Sequence, residues 1–120
     1  MTTTAKYRGG VGAIIDGYHR DTRQIKEIDW PVFSLGGYAQ DSSVRTQVID
    51  YRCSIEIGNV VINNRDLVVA DEDGVIIIPK ELEEKVIQEA LEKVKGENLF
   101  VNAIKIGMTA TEAFKKFGVL

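Results

Sequence analysis

A charged pair, Arg20-Asp21, follows the short apolar run Gly12–Ile15 and the turn dipeptide Asp16-Gly17. An apolar run that ends in Asp-Gly is typical of a buried strand that stops at a turn. In α/β folds such strand ends commonly carry ligand-binding loops, where Asp can hold a hard metal ion and Arg can hold a carboxylate. The pair therefore predicts a ligand site, although a solvated turn whose Asp caps the next helix is the commoner use of this pattern.

The segments around this pair alternate between helix and strand. Paired glycines end helices efficiently, and a proline ends a helix before it. From these signals we predict a helix from Thr2 to about Arg8, a strand at Val11–Ile15, a helix at Thr22–Glu27, a strand at Val32–Leu35 and a surface loop at Tyr38–Arg45. Such alternation indicates an α/β fold.

From Gln47 to Pro79 the hydrophobic pattern changes to a period of two. Apolar residues alternate with polar ones over Ile49–Ile57, which predicts an antiparallel strand with one buried face. Turn residues then separate three further short strands, predicted at Val60–Ile62, Leu67–Val69 and Val75–Ile78. The acidic run Asp71-Glu72-Asp73 could suggest a metal site, but adjacent carboxylates in a turn more often face solvent.

Two helices are predicted after Pro79. The first carries an apolar stripe that we expect to cover the sheet, formed by Leu82, Val86, Ile87, Ala90, Leu91 and Val94. Gly96 is expected to interrupt this helix. The second begins with the capping box Thr109-Ala110-Thr111-Glu112, is expected to bury Phe114 and Phe117, and ends at Gly118.

Length and charge limit the possible functions. The 120 residues predict one domain spanning the whole chain. The 15 basic and 18 acidic side chains give a net charge of −3, which offers no electrostatic basis for binding nucleic acid. The single cysteine, Cys53, excludes an internal disulfide and is expected to be a buried structural thiol. With no signal peptide and no apolar run long enough to cross a membrane, we expect a soluble cytoplasmic protein.

Three stretches together resemble one known family. They are DGYHRD at Asp16–Asp21, Pro31-Val32-Phe33, and the segment Ile57–Pro79, which contains the specific run ADEDGVIIIP. This combination resembles the RraA-like family, which includes the regulator of ribonuclease E activity A and the 4-hydroxy-4-methyl-2-oxoglutarate aldolases. Its members were formerly labelled demethylmenaquinone methyltransferases. The chain departs from the usual family pattern at Gly58-Asn59 and Asn64-Arg65, where both replacements still permit turns.

The resemblance implies a fold and an assembly. It implies a swivelling β/β/α sandwich, with mixed sheets and helices packed on one side, rather than a doubly wound sheet. Family members form homotrimers, sometimes hexamers, with active sites at subunit boundaries. A catalytic Asp and a glycine-rich loop precede the Arg-Asp pair in the family by more residues than precede Arg20 here. We therefore expect the chain to correspond to the second half of a typical member.

The resemblance also assigns roles to three residues. Arg20 is implied to contact the keto-acid substrate and to stabilise the enolate, while Asp21 is implied to ligate Mg²⁺ or Mn²⁺. Glu97 matches by spacing a Glu that reaches a neighbouring subunit's site, although a solvated Glu at a helix end is an equally reasonable interpretation. His19 occupies a variable family position and is interpreted as a turn residue.

Two functions of different kinds follow. The first is a divalent-metal-dependent pyruvate aldolase or oxaloacetate decarboxylase acting on a small 2-keto acid, with reduced or no activity for this chain alone. The second is a non-enzymatic protein-binding module that regulates a ribonuclease, as the family's namesake does. A methyltransferase is disfavoured, because nothing here resembles the glycine-rich loop that binds a methyl donor.

Overall fold

Residues 1–118 are described by a computed structural model, and their contacts divide them into two units. The first unit contains residues 1–64 and 71–75, and the second contains residues 65–70 and the segment from Ile76 onward. The elements are small sheets and helices in mixed order, which confirms the predicted α/β class. The interpretation of residues 1–120 as one domain stays a prediction.

The first unit begins with helix α1, Thr2–Tyr7, which ends where the glycine pair predicts. Gly9 has a φ of 90°, and the Gly10 N–H donates to the Ala5 carbonyl at 2.9 Å. A glycine in this left-handed conformation satisfies carbonyls at the end of a helix at little steric cost. The buried Trp30 then donates from its indole N–H to the Gly10 carbonyl at 2.7 Å, which ties the helix end to the strand that follows Trp30.

Two short parallel strands follow, β1 at Ala13–Ile14 and β2 at Val32–Phe33. Ala13 pairs with Val32 and Ile14 with Phe33, and helix α2 at Thr22–Glu27 lies between them in sequence. A parallel pair needs such a crossover connection, and here it contains the Arg-Asp pair. The bounds of α2 are those predicted, whereas both strands are shorter than predicted.

The prediction of a strand with one buried face over Ile49–Ile57 is wrong. Only β3, Ile55–Ile57, is extended and paired, and it forms an antiparallel pair with β4, Val60–Ile62. Ile49 and Tyr51 are 88% and 77% exposed. Arg52 has a φ of 56°, a left-handed conformation that ends an extended strand, and alternation produces a buried face only where another element covers it.

Cys53 lies beside this break and is exposed, so the prediction of a buried thiol is also wrong. The alternating pattern had placed it on the covered face of the predicted strand. Because no strand forms there, the burial assigned to it from the pattern does not occur.

Strands β5, Leu67–Asp71, and β6, Gly74–Ile78, form a hairpin. At its tip the Asp71 carboxylate accepts the Asp73 backbone N–H at 2.9 Å, and the three acidic residues 71–73 are exposed. This confirms the interpretation of the acidic run as a solvated turn. Residues 1–118 contain no cluster of three or more His, Cys, Asp or Glu side chains suited to a metal ion.

The second unit contains a 3₁₀ turn at Lys80–Leu82 and the long helix α3, Glu83–Lys105. The expected interruption at Gly96 does not occur. A glycine inside a helix costs only about 1 kcal/mol relative to alanine and keeps its backbone N–H, so a 23-residue helix can contain one. No helix among the described residues is long and apolar enough to cross a membrane.

The predicted apolar stripe of this helix is not covered along most of its length. Leu82, Ile87, Leu91 and Val94 are between 40% and 57% exposed, and the buried residue of α3 is Ala103 near its C-terminal end. Helical spacing correctly places these side chains on one face, but it does not supply the surface that covers them. The expectation that the stripe covers a sheet is therefore not met in this chain.

Helix α4, Ala110–Phe117, begins with the predicted capping box and ends at Gly118. The Thr109 hydroxyl accepts the Glu112 N–H at 3.3 Å, and the Glu112 carboxylate accepts the Thr109 N–H at 3.0 Å. The Thr109 hydroxyl also donates to Glu112 Oε2 at 2.7 Å. This hydrogen bond, followed by the one from the Thr109 backbone N–H, lowers the pKa of Glu112. The small Ala113 is fully buried, whereas Phe114 is 47% exposed, so the predicted burial of the Phe114 ring is wrong. Phe117 is partly buried, so its predicted burial is met only in part.

Candidate functional site: the Arg20-Asp21 turn

The turn from Asp16 to Asp21 leaves strand β1 and runs beside the chain that leaves strand β2. The Leu35 N–H donates to the Gly17 carbonyl at 2.8 Å, the His19 N–H to Gly36 at 2.9 Å, and the Tyr38 N–H to His19 at 2.8 Å. His19 and Gly37 thus form a parallel bridge beyond the two named strands. This backbone ladder delivers Arg20 and Asp21 to the beginning of helix α2 in a defined position.

Asp21 is the N-cap of helix α2, but its side chain does not cap the helix. Its φ of 64° and ψ of 38° are left-handed, and no capping hydrogen bond is made by its carboxylate. Asp21 contributes to the helix only through its backbone, because its carbonyl accepts a hydrogen bond from the Ile25 N–H at 3.1 Å. The carboxylate is 53% exposed and therefore faces solvent, where it can bind a ligand. The side-chain cap of the commoner interpretation is therefore not formed, whereas the exposure of Asp21 agrees with a solvated turn.

The Arg20 guanidinium lies between two carboxylates. Its Nε is 3.5 Å from Asp21 Oδ1, and its Nη1 donates to Asp41 Oδ2 at 2.6 Å. The hydrogen bond with Asp41 is the main cause of a raised Arg20 pKa. The guanidinium, which is a cation at any ordinary pH, lies beside the Asp21 carboxylate with about half of its side chain exposed.

Sequence reasoning missed Asp41, which lies in the loop predicted at Tyr38–Arg45. The Asp41 carboxylate accepts the Ser43 N–H at 2.8 Å, and this contact, followed by the hydrogen bond from Arg20, lowers the Asp41 pKa. The Asp-Ser-Ser sequence is a typical signal for such a local turn. Its pairing with a guanidinium 21 residues earlier has no local signal and depends on the tertiary structure.

His19 does more than occupy a turn. Its Nδ1 lies 2.7 Å from Ser34 Oγ, and its Nε2 lies 2.9 Å from Thr22 Oγ1. The ring therefore joins the residue after strand β2 to the first residue of helix α2. Thr22 lies three residues after His19, within the range of a local sequence motif. Ser34 lies 15 residues after His19 and is outside that range.

Tyr18 and Tyr38 form an aromatic pair on the same ladder. Their ring centroids are 5.6 Å apart with an interplanar angle of 45°. Both side chains are more than half exposed, so the pair borders the turn without forming a closed pocket. Sequence reasoning assigned neither ring a role.

Glu97, the third residue implied by the family resemblance, belongs to the second unit and lies on helix α3. Its Oε1 is 3.6 Å from Lys93 Nζ, one helical turn earlier, and its side chain is 38% exposed. This is the environment of a solvated helix-surface residue in an i,i+4 ion pair. The role of Glu97 at another subunit's site stays a prediction.

The residues at the turn are compatible with a hard divalent ion that has one protein ligand. Mg²⁺ and Mn²⁺ prefer oxygen ligands, and Mg²⁺ commonly keeps several waters while binding one or two carboxylates and substrate oxygens. The Asp21 carboxylate is exposed and has no helix-capping role, so it can supply such a ligand. Arg20 beside it can neutralise an anionic substrate that shares the ion.

The fold and this turn define an α/β protein that presents an exposed carboxylate and a guanidinium beyond a parallel strand pair. A family model described as RraA-like, Aldolase/RraA, matches residues 1–77. A "Putative 4-hydroxy-4-methyl-2-oxoglutarate aldolase" of Halalkalibacterium halodurans is 36% identical over 110 residues, which are 92% of this chain. The chain belongs to the RraA-like family, as the sequence motifs predicted.

Two further similarities extend over nearly the whole chain. Protein DlpA of Legionella pneumophila is 29% identical over 113 residues, or 94% of this chain. The crystal structure of an uncharacterized protein from Pseudomonas syringae matches 97% of the chain with a TM-score of 0.92 and 30% identity. The chain spans 52% of the Halalkalibacterium relative, 18% of DlpA and 55% of the Pseudomonas chain.

Proposed function

We propose that this chain is part of a divalent-metal-dependent lyase that releases pyruvate from a small 2-keto acid, by aldol cleavage or by decarboxylation of oxaloacetate. The observation that carries the proposal is the left-handed Asp21, whose exposed carboxylate makes no capping bond and lies beside Arg20. The names of the aldolase relatives support the substrate class. The chain spans 52% and 51% of the length of those two relatives. We extend the activity in their names to this chain only as a proposal.

The reaction places specific demands on these two residues. When the C3–C4 bond of either substrate breaks, its electrons form the C2–C3 double bond of the pyruvate enolate, and the negative charge develops on the keto oxygen. The other fragment leaves as CO2 from oxaloacetate, or as a second pyruvate from 4-hydroxy-4-methyl-2-oxoglutarate once a base has taken its hydroxyl proton. A bound Mg²⁺ or Mn²⁺ would supply Lewis-acid stabilisation of that oxygen. Asp21 would hold the ion, and the Arg20 guanidinium would donate hydrogen bonds to the developing negative charge. Water then protonates the enolate carbon to give pyruvate.

Arg20 can make these contacts because its present partner is exposed. The ion pair with Asp41 joins two side chains that are 46% and 56% exposed, and exposed pairs contribute little net stability. A substrate carboxylate can therefore replace Asp41 at Nη1 without a large cost. Before a substrate binds, Arg20 Nη1 donates to Asp41 Oδ2 at 2.6 Å.

The test is pyruvate release from oxaloacetate and from 4-hydroxy-4-methyl-2-oxoglutarate, each with Mg²⁺, with Mn²⁺ and with a chelator. Free metal ions also decarboxylate oxaloacetate, so each assay needs a blank with the same metal and no protein. We expect chelator-sensitive release, faster from oxaloacetate, because decarboxylation needs no base for a substrate hydroxyl. Rates equal to the blank for both substrates would contradict the proposal and favour the protein-binding alternative.

We also propose that copies of this chain assemble as a homotrimer or hexamer in the cytoplasm. Among residues 1–118 only four apolar residues are buried, and Val44, Val48 and Ile49 of the first unit are at least 85% exposed. Apolar surface left in this state is usually covered by a partner, and symmetric copies are the commonest partners. Light scattering at micromolar concentration should report three or six chains, and a compact monomer would contradict the proposal.

A further inference from the structure

The imidazole of His19 makes hydrogen-bond contacts on both sides of the site residues Arg20 and Asp21. Its Nε2 contacts Thr22 Oγ1 at 2.9 Å, so residues 19 and 22 are linked across Arg20 and Asp21. Its Nδ1 contacts Ser34 Oγ at 2.7 Å, which anchors this connection to the end of strand β2. The pair of site residues is thus enclosed between two hydrogen-bonded positions rather than placed in a free loop.

Both contacts suit an imidazole well. A neutral ring offers one donor and one acceptor, and a hydroxyl can both donate and accept. Either tautomer can therefore satisfy Ser34 and Thr22, and a protonated ring can donate to both oxygens. Ser34 Oγ also accepts a hydrogen bond from the Gly36 N–H at 3.2 Å. This second contact holds the Ser34 hydroxyl in position beside His19 Nδ1.

The backbone of His19 is fixed as firmly as its side chain. Its N–H and carbonyl both take part in the ladder with Gly36 and Tyr38. At Gly37 an added Cβ would lie 3.2 Å from Thr22 Oγ1, so this stretch of the ladder passes close to the hydroxyl that His19 binds. Ring, ladder and helix start are therefore packed together at one place.

This arrangement explains how Asp21 keeps an uncommon conformation. A non-glycine residue in the left-handed region persists only where its surroundings hold it. The Asp21 side chain makes no capping bond that could hold this conformation. The hydrogen bond between His19 and Thr22 instead links the residue before the Arg20-Asp21 pair to the residue after it. The contacts of His19 thus constrain the direction in which the Asp21 carboxylate and the Arg20 guanidinium leave the backbone.

We propose that His19 is a positioning residue, which holds Arg20 and Asp21 in the geometry that binds the divalent ion and the keto acid. The inference rests on the proposed function and deepens it. His19 acts through its hydroxyl partners and the backbone, and it does not contact the substrate. Losses of outer partners at metal sites commonly reduce metal affinity by about 10- to 100-fold.

The test compares Mn²⁺ affinity, measured by electron paramagnetic resonance, in His19→Ala, His19→Gln and Thr22→Val. We expect His19→Ala and Thr22→Val to weaken binding about tenfold, at the lower end of that range because His19 does not touch Asp21 itself. His19→Gln should recover much of the loss, because its amide can still reach the Thr22 hydroxyl. Arg23→Gln is the matched control, since Arg23 is 91% exposed on the same helix and pairs with Glu27.

A second readout separates folding from positioning. Thermal unfolding reports whether each variant folds, and pyruvate release at saturating Mn²⁺ and oxaloacetate reports whether kcat falls, as displacement of the enolate-stabilising Arg20 requires. An unchanged Mn²⁺ affinity in folded His19→Ala would overturn the inference about His19 while leaving the proposed function intact. If the unsubstituted chain binds no Mn²⁺, the proposed function is overturned, and with it the role given to His19.

Discussion

Replacing Asp21 with asparagine should abolish Mn²⁺ binding at the turn while leaving the fold unchanged. Asparagine has nearly the same shape as aspartate and tolerates the left-handed conformation that Asp21 adopts, so the substitution removes the charge alone. With one protein carboxylate as the proposed ligand, the remaining ligands are water and substrate, which cannot hold the ion by themselves. Calorimetry with Mn²⁺ and Mg²⁺ measures the loss directly, and Asp21→Ala should give the same result.

Asp29 provides a matched control for this experiment. It is also an aspartate with a left-handed backbone, with a φ of 48°, and it lies at the other end of helix α2. Asp29→Asn should therefore keep the Mn²⁺ affinity of the unsubstituted chain. Mn²⁺ binding that survives in Asp21→Asn would place the ion elsewhere and would remove the main support of the proposed function.

Replacing Arg20 with lysine should lower kcat for metal-dependent pyruvate release by about 10² to 10³, the usual effect of removing one oxyanion donor. Lysine keeps the positive charge but loses the planar fork, which can contact a carboxylate or enolate through two nitrogens at once. The fork is already in use in this structure, since Nε lies near Asp21 while Nη1 binds Asp41. A single ammonium group cannot make both contacts in the same geometry.

The measurement is the rate of pyruvate release at saturating oxaloacetate and Mn²⁺, with Mn²⁺ affinity determined in parallel. We expect the affinity to stay within a few-fold, because Asp21 is unchanged and the neighbouring charge is kept. Arg23→Lys is the control, since Arg23 is more exposed than Arg20 and pairs only locally. Full kcat in Arg20→Lys would show that charge alone suffices, and the enolate-binding role of the guanidinium would be wrong.

The local features of this chain could be predicted because neighbouring residues determine them. Helix α2 begins and ends where predicted, since the turn before it and the proline after it act within a few residues. The capping box at Thr109 forms for the same reason, because its two hydrogen bonds join residues three apart. The motif at Asp16–Asp21 contains the two charged residues of the candidate site, and together with Pro31-Val32-Phe33 and Ile57–Pro79 it indicated the RraA-like family.

Burial could not be predicted in the same way, because it depends on what covers a face. Alternation over Ile49–Ile57 and helical spacing from Leu82 to Val94 each predicted a buried surface, and both surfaces are largely exposed. Phe114 is exposed while the smaller Ala113 is fully buried. A hydrophobic pattern specifies which side chains share a face, and only tertiary or quaternary contacts determine whether that face is removed from water.

The candidate site shows the same division most clearly. The sequence by itself determined that an Arg and an Asp stand together after a strand and a turn. Three other features appear only in the tertiary structure. The Asp21 side chain makes no capping bond, Asp41 accepts a hydrogen bond from Arg20, and His19 contacts both Ser34 and Thr22. Two of these contacts, with Asp41 and with Ser34, join residues 15 to 21 positions apart. They form only after the parallel pairing of β1 and β2 has brought distant segments together, and no local pattern encodes that pairing.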